Sequence, residues 1–261
     1  MIKNFVQILD IQTAIILIFS LVSTHLCLRF NIVFEMPTGL IGIAIVFPIV
    51  FSINAAYRRR EEALAFLASF KASAVSLYYA HRDWVPGENQ THVERITKLI
   101  IAIFQAIRKD FTAQEEQETD FQQIYALFSR FSESNEELRS AGMDTAEVSR
   151  AHTFLRLMVS DFENMRNILL YRTPISLRAY TQVFLNAFPI LFGPYFAYLS
   201  SQYAVYCGYM VAVFYCVVLS CLDNIQDFLE NPYDGIGVDD IDLDLAEDYG
   251  RLLHKQGHVK I

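Results

Sequence analysis

Little in this chain is arranged for catalysis. It has no Gly-x-Ser-x-Gly, no phosphate-binding loop and no His-Glu-x-x-His, the patterns that mark the commonest nucleophile, nucleotide and zinc sites. Its six histidines are scattered, and its four cysteines, Cys27, Cys207, Cys216 and Cys221, lie within or beside apolar runs without metal-ligand spacing. They read as buried thiols. Positive charge is also short: 21 Lys and Arg stand against 29 Asp and Glu, a net charge of −8. That balance argues against a nucleic-acid partner. No strand-like alternation of any length and no internal repeat occur. The N-terminal "MIKNFVQILD" leads into an apolar run with no small-residue cleavage site, so no signal peptide is expected.

What the chain does contain is long runs without charge. Mean hydropathy is +0.26, and 53% of the 261 residues are hydrophobic. That is high for a soluble domain and low for a protein that is all membrane. A spanning helix needs about 20 mostly apolar residues. Four stretches meet this, at about 11–28, 36–56, 179–203 and 204–222. They form two hairpins, 1–56 and 179–222, separated by a polar helical region, 57–178, and followed by an acidic tail, 223–261. Within the insert, Val93, Ile96, Ile100, Ile103 and Ile107 make a helical stripe. Asp144 with Glu147 resembles a capping box. The segment "TAQEEQETD" reads as a solvated loop or a helix end.

Charge sets the expected orientation. Arg58, Arg59 and Arg60 end the second span, and Arg172 and Arg178 precede the third. Lys and Arg prefer the cytoplasmic side. Both termini and the insert are therefore expected there, in a multi-pass protein of the cell (inner) membrane. His25, near the end of the first span, fits a structural or interfacial role.

The second span carries more detail. Ile43, Phe47 and Phe51 are four residues apart. At about 100° per residue each step turns only about 40° around the helix, so the three share a face. Gly39 and Gly42 near the helix start permit close helix approach. The stripe is either a lipid or packing face or, in an oligomer, three stacked apolar rings able to gate ions by dewetting. The tail "FLENPYDGIGVDDIDLDL" is either a solvated acidic segment or a set of hard oxygen ligands suited to calcium, though it lacks the EF-hand order.

Three motifs resemble one family. "NAAYRRREEA" is similar to the bestrophin pattern Asn/Thr-x-x-Tyr-x-Arg-Trp-Trp-Glu that ends the second helix: Tyr57, Arg59 and Glu62 match, while Arg60 and Glu61 replace the tryptophans. "TPISLRAYTQ" resembles the segment that opens the third span, and "ENPYDGIGVDDIDLD" the Glu-Asn-Pro-Phe-Gly stretch with its following acids. The resemblance implies an all-α membrane protein with four transmembrane helices per subunit, a cytoplasmic helical domain and a bestrophin-like homopentamer in the lipid bilayer. It implies an anion channel for chloride or similar small anions, and no enzyme. Counting back from Arg59, it places Ile43, Phe47 and Phe51 on the pore neck, and it puts a cytoplasmic constriction nearest Val148. No cofactor is required. A calcium site is left open at Asn231, Asp239, Asp240 and Asp242, but Phe228 stands where some animal members carry Gln and the acids are shifted. Calcium gating is therefore not expected, and the chain looks closer to the prokaryotic-type homologues. The alternative is a non-conducting membrane scaffold or receptor whose helical region binds a partner.

Overall fold

The structure, a computed structural model, describes residues 11–87, 90–113, 120–171, 175–237 and 239–256. Most of the 112–120 segment, and Thr173 and Pro174 of the third-span motif, lie outside them. The described residues form helices α1 (Ile11–Arg29), α2 (Thr38–Asp83), α3 (Gln90–Phe111), α4 (Gln122–Ser140), α5 (Thr145–Leu170), α6 (Ile175–Leu191), α7 (Gly193–Gln202), α8 (Val205–Glu230) and α9 (Ala246–Gln256), with no strand among them. Four segments are long and apolar enough to cross a membrane: α1, a stretch of α2, the run Gln182–Gln202, and α8. The chain divides into two compact units, one of 11–59 with 175–230, the other of 60–171 with 231–256.

In the first unit, α1 packs on α6, α7 and α8. The expected third span is two helices, α6 and α7, that meet at Phe192. Pro194 sits in the first turn of α7 and has no N–H for the carbonyl of Ile190. Helix α1 supplies the missing donors. Ser23 Oγ donates to the Ile190 carbonyl and Ser20 Oγ to that of Pro189, each at 2.8 Å. The break is thus satisfied without water, as an apolar surrounding demands. Small residues bring these helices close. A Cβ added at Gly193 would lie 2.2 Å from Ser23 Oγ, and one at Gly208 would lie 1.9 Å from the Phe196 carbonyl oxygen. The Gly208 amide donates to Ser200 Oγ at 3.2 Å, and Ser200 in turn donates to the Val205 carbonyl at 3.0 Å. After α1, Asn31 takes a left-handed conformation (φ 55°) and the Ile32 amide returns to the Cys27 carbonyl, closing the helix end.

The second unit packs by bulk. Phe70, Tyr78, Phe104, Phe111, Phe131, Phe162 and Tyr233 are all fully buried or nearly so. Ile96, Ile100, Ile103 and Ile107 of the expected stripe are buried in this core and Val93 packs beside it. Helix α5 starts at the cap Asp144, whose Oδ1 accepts from the Ala146 amide at 2.7 Å. Glu147, expected to close the box, pairs instead with Arg150. Residues 231–237 and 239–245 lie down on this unit, burying Tyr233, Ile241 and Leu243 in its core. The acidic stretch is therefore folded, because its alternating apolar side chains have a core to enter.

Two helices run further than an apolar-span reading suggests. Helix α8 continues past Leu222 to Glu230, burying Asp223, Gln226 and Glu230 along one face. Helix α2 passes through Arg58, Arg59 and Arg60 without a break. Among its buried residues, Ile49, Ser52, Ala56, Ala63, Leu67, Phe70, Ala74, Leu77 and His81 recur at steps of three, four or seven and make one stripe along the helix, which Ser73, Tyr78 and Ala80 widen in its second half. Apolar periodicity, not the local charge, keeps the helix going.

Candidate functional site: an exposed apolar face on the second helix

The stripe at Ile49, Ser52 and Ala56 fixes which side of α2 the first unit covers. Those three are at most 1% exposed. Ile49 and Ile53 pack with Leu185, Phe192, Phe196 and Leu219. The opposite side is open: Ile43 is 65% exposed, Phe47 62% and Phe51 53%, with Val46 and Val50 beside them. The Phe47 and Phe51 rings meet edge to face, their centroids 4.7 Å apart and their planes at 80°. Edge-to-face pairing leaves ring edges, which carry partial positive charge, turned outward from the pair. Gly39 and Gly42 adjoin this face, and a Cβ on either would meet nothing within 4 Å. Their smallness is not demanded by packing within the chain. Pro48 lies between the two phenylalanines inside the helix.

The arginine cluster divides. Arg60 Nε donates to the Asp239 carbonyl at 2.8 Å and Nη1 to Glu61 at 2.7 Å. Arg59 is half-buried and also engaged. Arg58 is exposed.

Val148 is fully buried, in a cluster with Val85, Leu138 and Met143. Its side chain fills the core of its own unit. Val148, the residue expected nearest a cytoplasmic constriction, is a core residue of this unit.

The calcium candidates hold the turns of the tail. Asn231 Oδ1 accepts from the Tyr233 amide at 3.4 Å, Asp240 Oδ2 from Gly237 at 3.0 Å and Asp242 Oδ1 from Asp244 at 2.8 Å. Asp239 serves through its backbone carbonyl, to Arg60. Burial and a hydrogen bond with Asp234 push the Asp240 carboxyl up to about 6. Among the described residues no three His, Cys, Asp or Glu side chains are grouped to hold a metal ion. Each of Asn231, Asp240 and Asp242 thus holds a turn of the tail through a backbone amide, which accounts for these side chains without a cation. His25 hydrogen-bonds Tyr209 across α1 and α8 at 3.0 Å.

Solved structures share this architecture. A bacterial bestrophin homologue from Klebsiella pneumoniae, solved by Zn-SAD phasing, superposes with TM-score 0.80 at 17% identity, covering 96% of this chain and 98% of that one. A tryptophan-to-alanine variant of the Klebsiella homologue gives 0.82 at 16% identity over 95% and 97%. The chain has the bestrophin-homologue fold. No protein-family model and no curated protein sequence matches it. The bestrophin-homologue fold is the one that the three motifs implied, and it extends over nearly the whole chain.

Two features of the site went unread in the sequence. One is the open space over Gly39 and Gly42. The other is the docking of the tail by Tyr233, Ile241 and Leu243, whose signal was the apolar residues spaced among the acids.

Proposed function

We propose that the chain spans a membrane through its four apolar segments and assembles as a homopentamer around an axis lined by α2. In this reading Ile43, Phe47 and Phe51 form the neck of a channel for small monovalent anions such as chloride. The observation that carries it is the exposure of these three side chains on a helix whose other face is buried in its own unit. Such a face needs an apolar cover, and a ring of equivalent faces provides one. The bestrophin-homologue fold supports the same arrangement.

The neck works by partial dehydration. Apolar rings offer no replacement for lost water, so hydration cost forms the barrier. Phenyl edges offset part of that cost for an anion and none of it for a cation. Larger, weakly hydrated anions pass more easily because they shed water at lower cost. Pro48 supplies no amide hydrogen to the carbonyl one turn earlier and lets the helix bend at the neck. The Lys and Arg bias supports a cytoplasmic side for both termini, and the inner membrane is the membrane of this reading. No metal or cofactor enters this mechanism.

Two measurements test it. Mass determination in mild detergent is expected to give a pentamer, and proteoliposomes are expected to release chloride. A monomer or dimer sinks the neck, and a pentamer without flux leaves a scaffold. Replacing Ile43, Phe47 and Phe51 together by Ala is expected to raise unitary conductance, and unchanged currents would remove them from the pore.

A further inference from the structure

The exposed face of α2 does not end at Phe51. Counted from Ile43 at about 100° per residue, Phe47 lies near 40° and Phe51 near 80°; Asn54 then falls near 20° and Arg58 near 60°. Both continue the same strip. Both are exposed, and among the described residues neither makes a hydrogen bond or an ion pair. Arg58 thus differs from its neighbours: Arg60 is held by Asp239 and Glu61, and Arg59 is half-buried and engaged. Glu61, the acid three residues on from Arg58, is taken by Arg60. By helical rise Asn54 stands about 4.5 Å and Arg58 about 10 Å beyond Phe51 along the axis. The order is three apolar side chains, a carboxamide, then a guanidinium without an ion pair among the described residues, with the exposed Glu62 following one turn on.

We infer that Arg58, with Asn54, forms a binding site for a small monovalent anion at the inner mouth of the neck, and that Arg58 sets the charge selectivity and the low-salt conductance of this channel. The inference rests on the proposed neck. An anion that has shed water between the phenylalanines needs donors where it leaves. The Asn54 amide offers two and each guanidinium five. In a pentamer five guanidiniums surround one axis, concentrating anions and repelling cations. The roles then divide: the apolar rings set the hydration barrier, and Arg58 sets the sign and local concentration of the ion. Arg59 and Arg60, already engaged, take no part.

The test uses purified full-length protein in planar bilayers. Arg58→Gln is expected to lower chloride conductance about threefold or more at roughly 50 mM salt and by less than about 1.5-fold at 1 M, where screening removes the effect. Arg58→Glu is expected to cut the chloride-to-potassium permeability ratio about tenfold. Arg58→Lys should keep both properties near wild type, and Arg60→Gln should leave both unchanged. Wild-type conductance and selectivity in Arg58→Gln at low salt would overturn the inference while leaving the neck standing. A wild-type pentamer that carries no current would overturn the neck itself. Should Arg58→Gln fail to assemble, Arg58→Cys replaces it. Restoration of current by a cationic methanethiosulfonate reagent, with no response from wild type, supports the site, and no change on modification overturns it.

Discussion

The two units of this chain use phenylalanine in opposite ways. In the unit of 60–171 and 231–256, Phe162 is fully buried and meets the rings of Phe111, Phe121, Tyr125 and Phe128. In the other unit, Phe47 and Phe51 touch mainly each other and stand more than half exposed. There the helices approach through Gly193, Gly208, Ser20 and Ser23, and most large apolar side chains point outward. One unit packs its large apolar side chains inward, the pattern that burial of apolar area from water drives. The other inverts the pattern, as expected where lipid or a second copy supplies the apolar surroundings and close contact of small residues supplies the packing.

One substitution made in both places breaks or confirms the contrast. Phe162→Ala is expected to destabilise by about 3–5 kcal/mol, the cost of lost transfer energy and a cavity among four rings. Phe47→Ala is expected to cost under about 1 kcal/mol in thermal unfolding of the purified protein, because an exposed side chain leaves no cavity behind. Equal losses would mean that the Phe47 face is packed, and that the neck is wrong.

Acid is expected to act on the unit with the aromatic core. His81 is fully buried. Its Nδ1 donates to the Leu77 carbonyl at 3.0 Å, which leaves Nε2 to accept from Ser134 Oγ at 3.1 Å. Burial holds the imidazole down to about 4, from 6.5. Between those values the unfolded chain binds a proton that the folded one refuses, so stability falls as pH drops from about 6.5 to 4 and levels off below. The full contribution is about 3 kcal/mol at 1.36 kcal/mol per pH unit. His81→Gln should flatten this part of a denaturant-derived stability profile. Asp240 has the opposite sign: its carboxyl, raised to about 6, favours the folded state on acidification through pH 6 to 4. Asp240→Asn should therefore steepen the acid loss. A profile unmoved by either change would contradict the neutral buried imidazole and the raised Asp240 carboxyl.

Glycine sharpens the comparison within the apolar unit. Gly208→Ala places a Cβ against the backbone oxygen of Phe196, which no rotamer change relieves. Helices α7 and α8 must part, at about 1–3 kcal/mol. Gly42→Ala meets open space and gains helix propensity of about 1 kcal/mol. The subunit should be no less stable, while the oligomer in size-exclusion chromatography should weaken if a neighbouring copy fills that space. An unaffected pentamer would place Gly42 against lipid.

The sequence made α2 legible through the Arg58–Arg60 cluster because apolar spacing persists on both sides of it. It made the open face legible because Ile43, Phe47 and Phe51 fall one turn apart. Other features depended on contacts that no spacing reveals. The break at Phe192 was signalled by Pro194, yet whether a proline kinks or ends a helix depends on who satisfies the freed carbonyls, here Ser20 and Ser23 of α1. Asp223 looked like the start of a solvated tail, but Asp223, Gln226 and Glu230 turn to one buried face of α8. Val148 is buried against Leu138 and Met143, close in sequence, and against Val85, which is distant in sequence.

The smallest expected effect concerns what holds the tail. Arg108 bridges to Asp244 at 2.8 Å, with both side chains about half exposed. Such pairs contribute about 0–1 kcal/mol because water and salt screen them and two side chains must be ordered. Tyr233, Ile241 and Leu243 are at most 7% exposed in the core, each with a burial energy on the order of 1.5–3 kcal/mol. Arg108→Ala should therefore cost under about 1 kcal/mol and leave the tail's resistance to limited proteolysis near wild type at low and high salt alike. Rapid cleavage after that change, or tail release by salt in the wild type, would make the attachment electrostatic. The acidic stretch would then belong with the charged surface rather than with the aromatic core that its three apolar side chains enter.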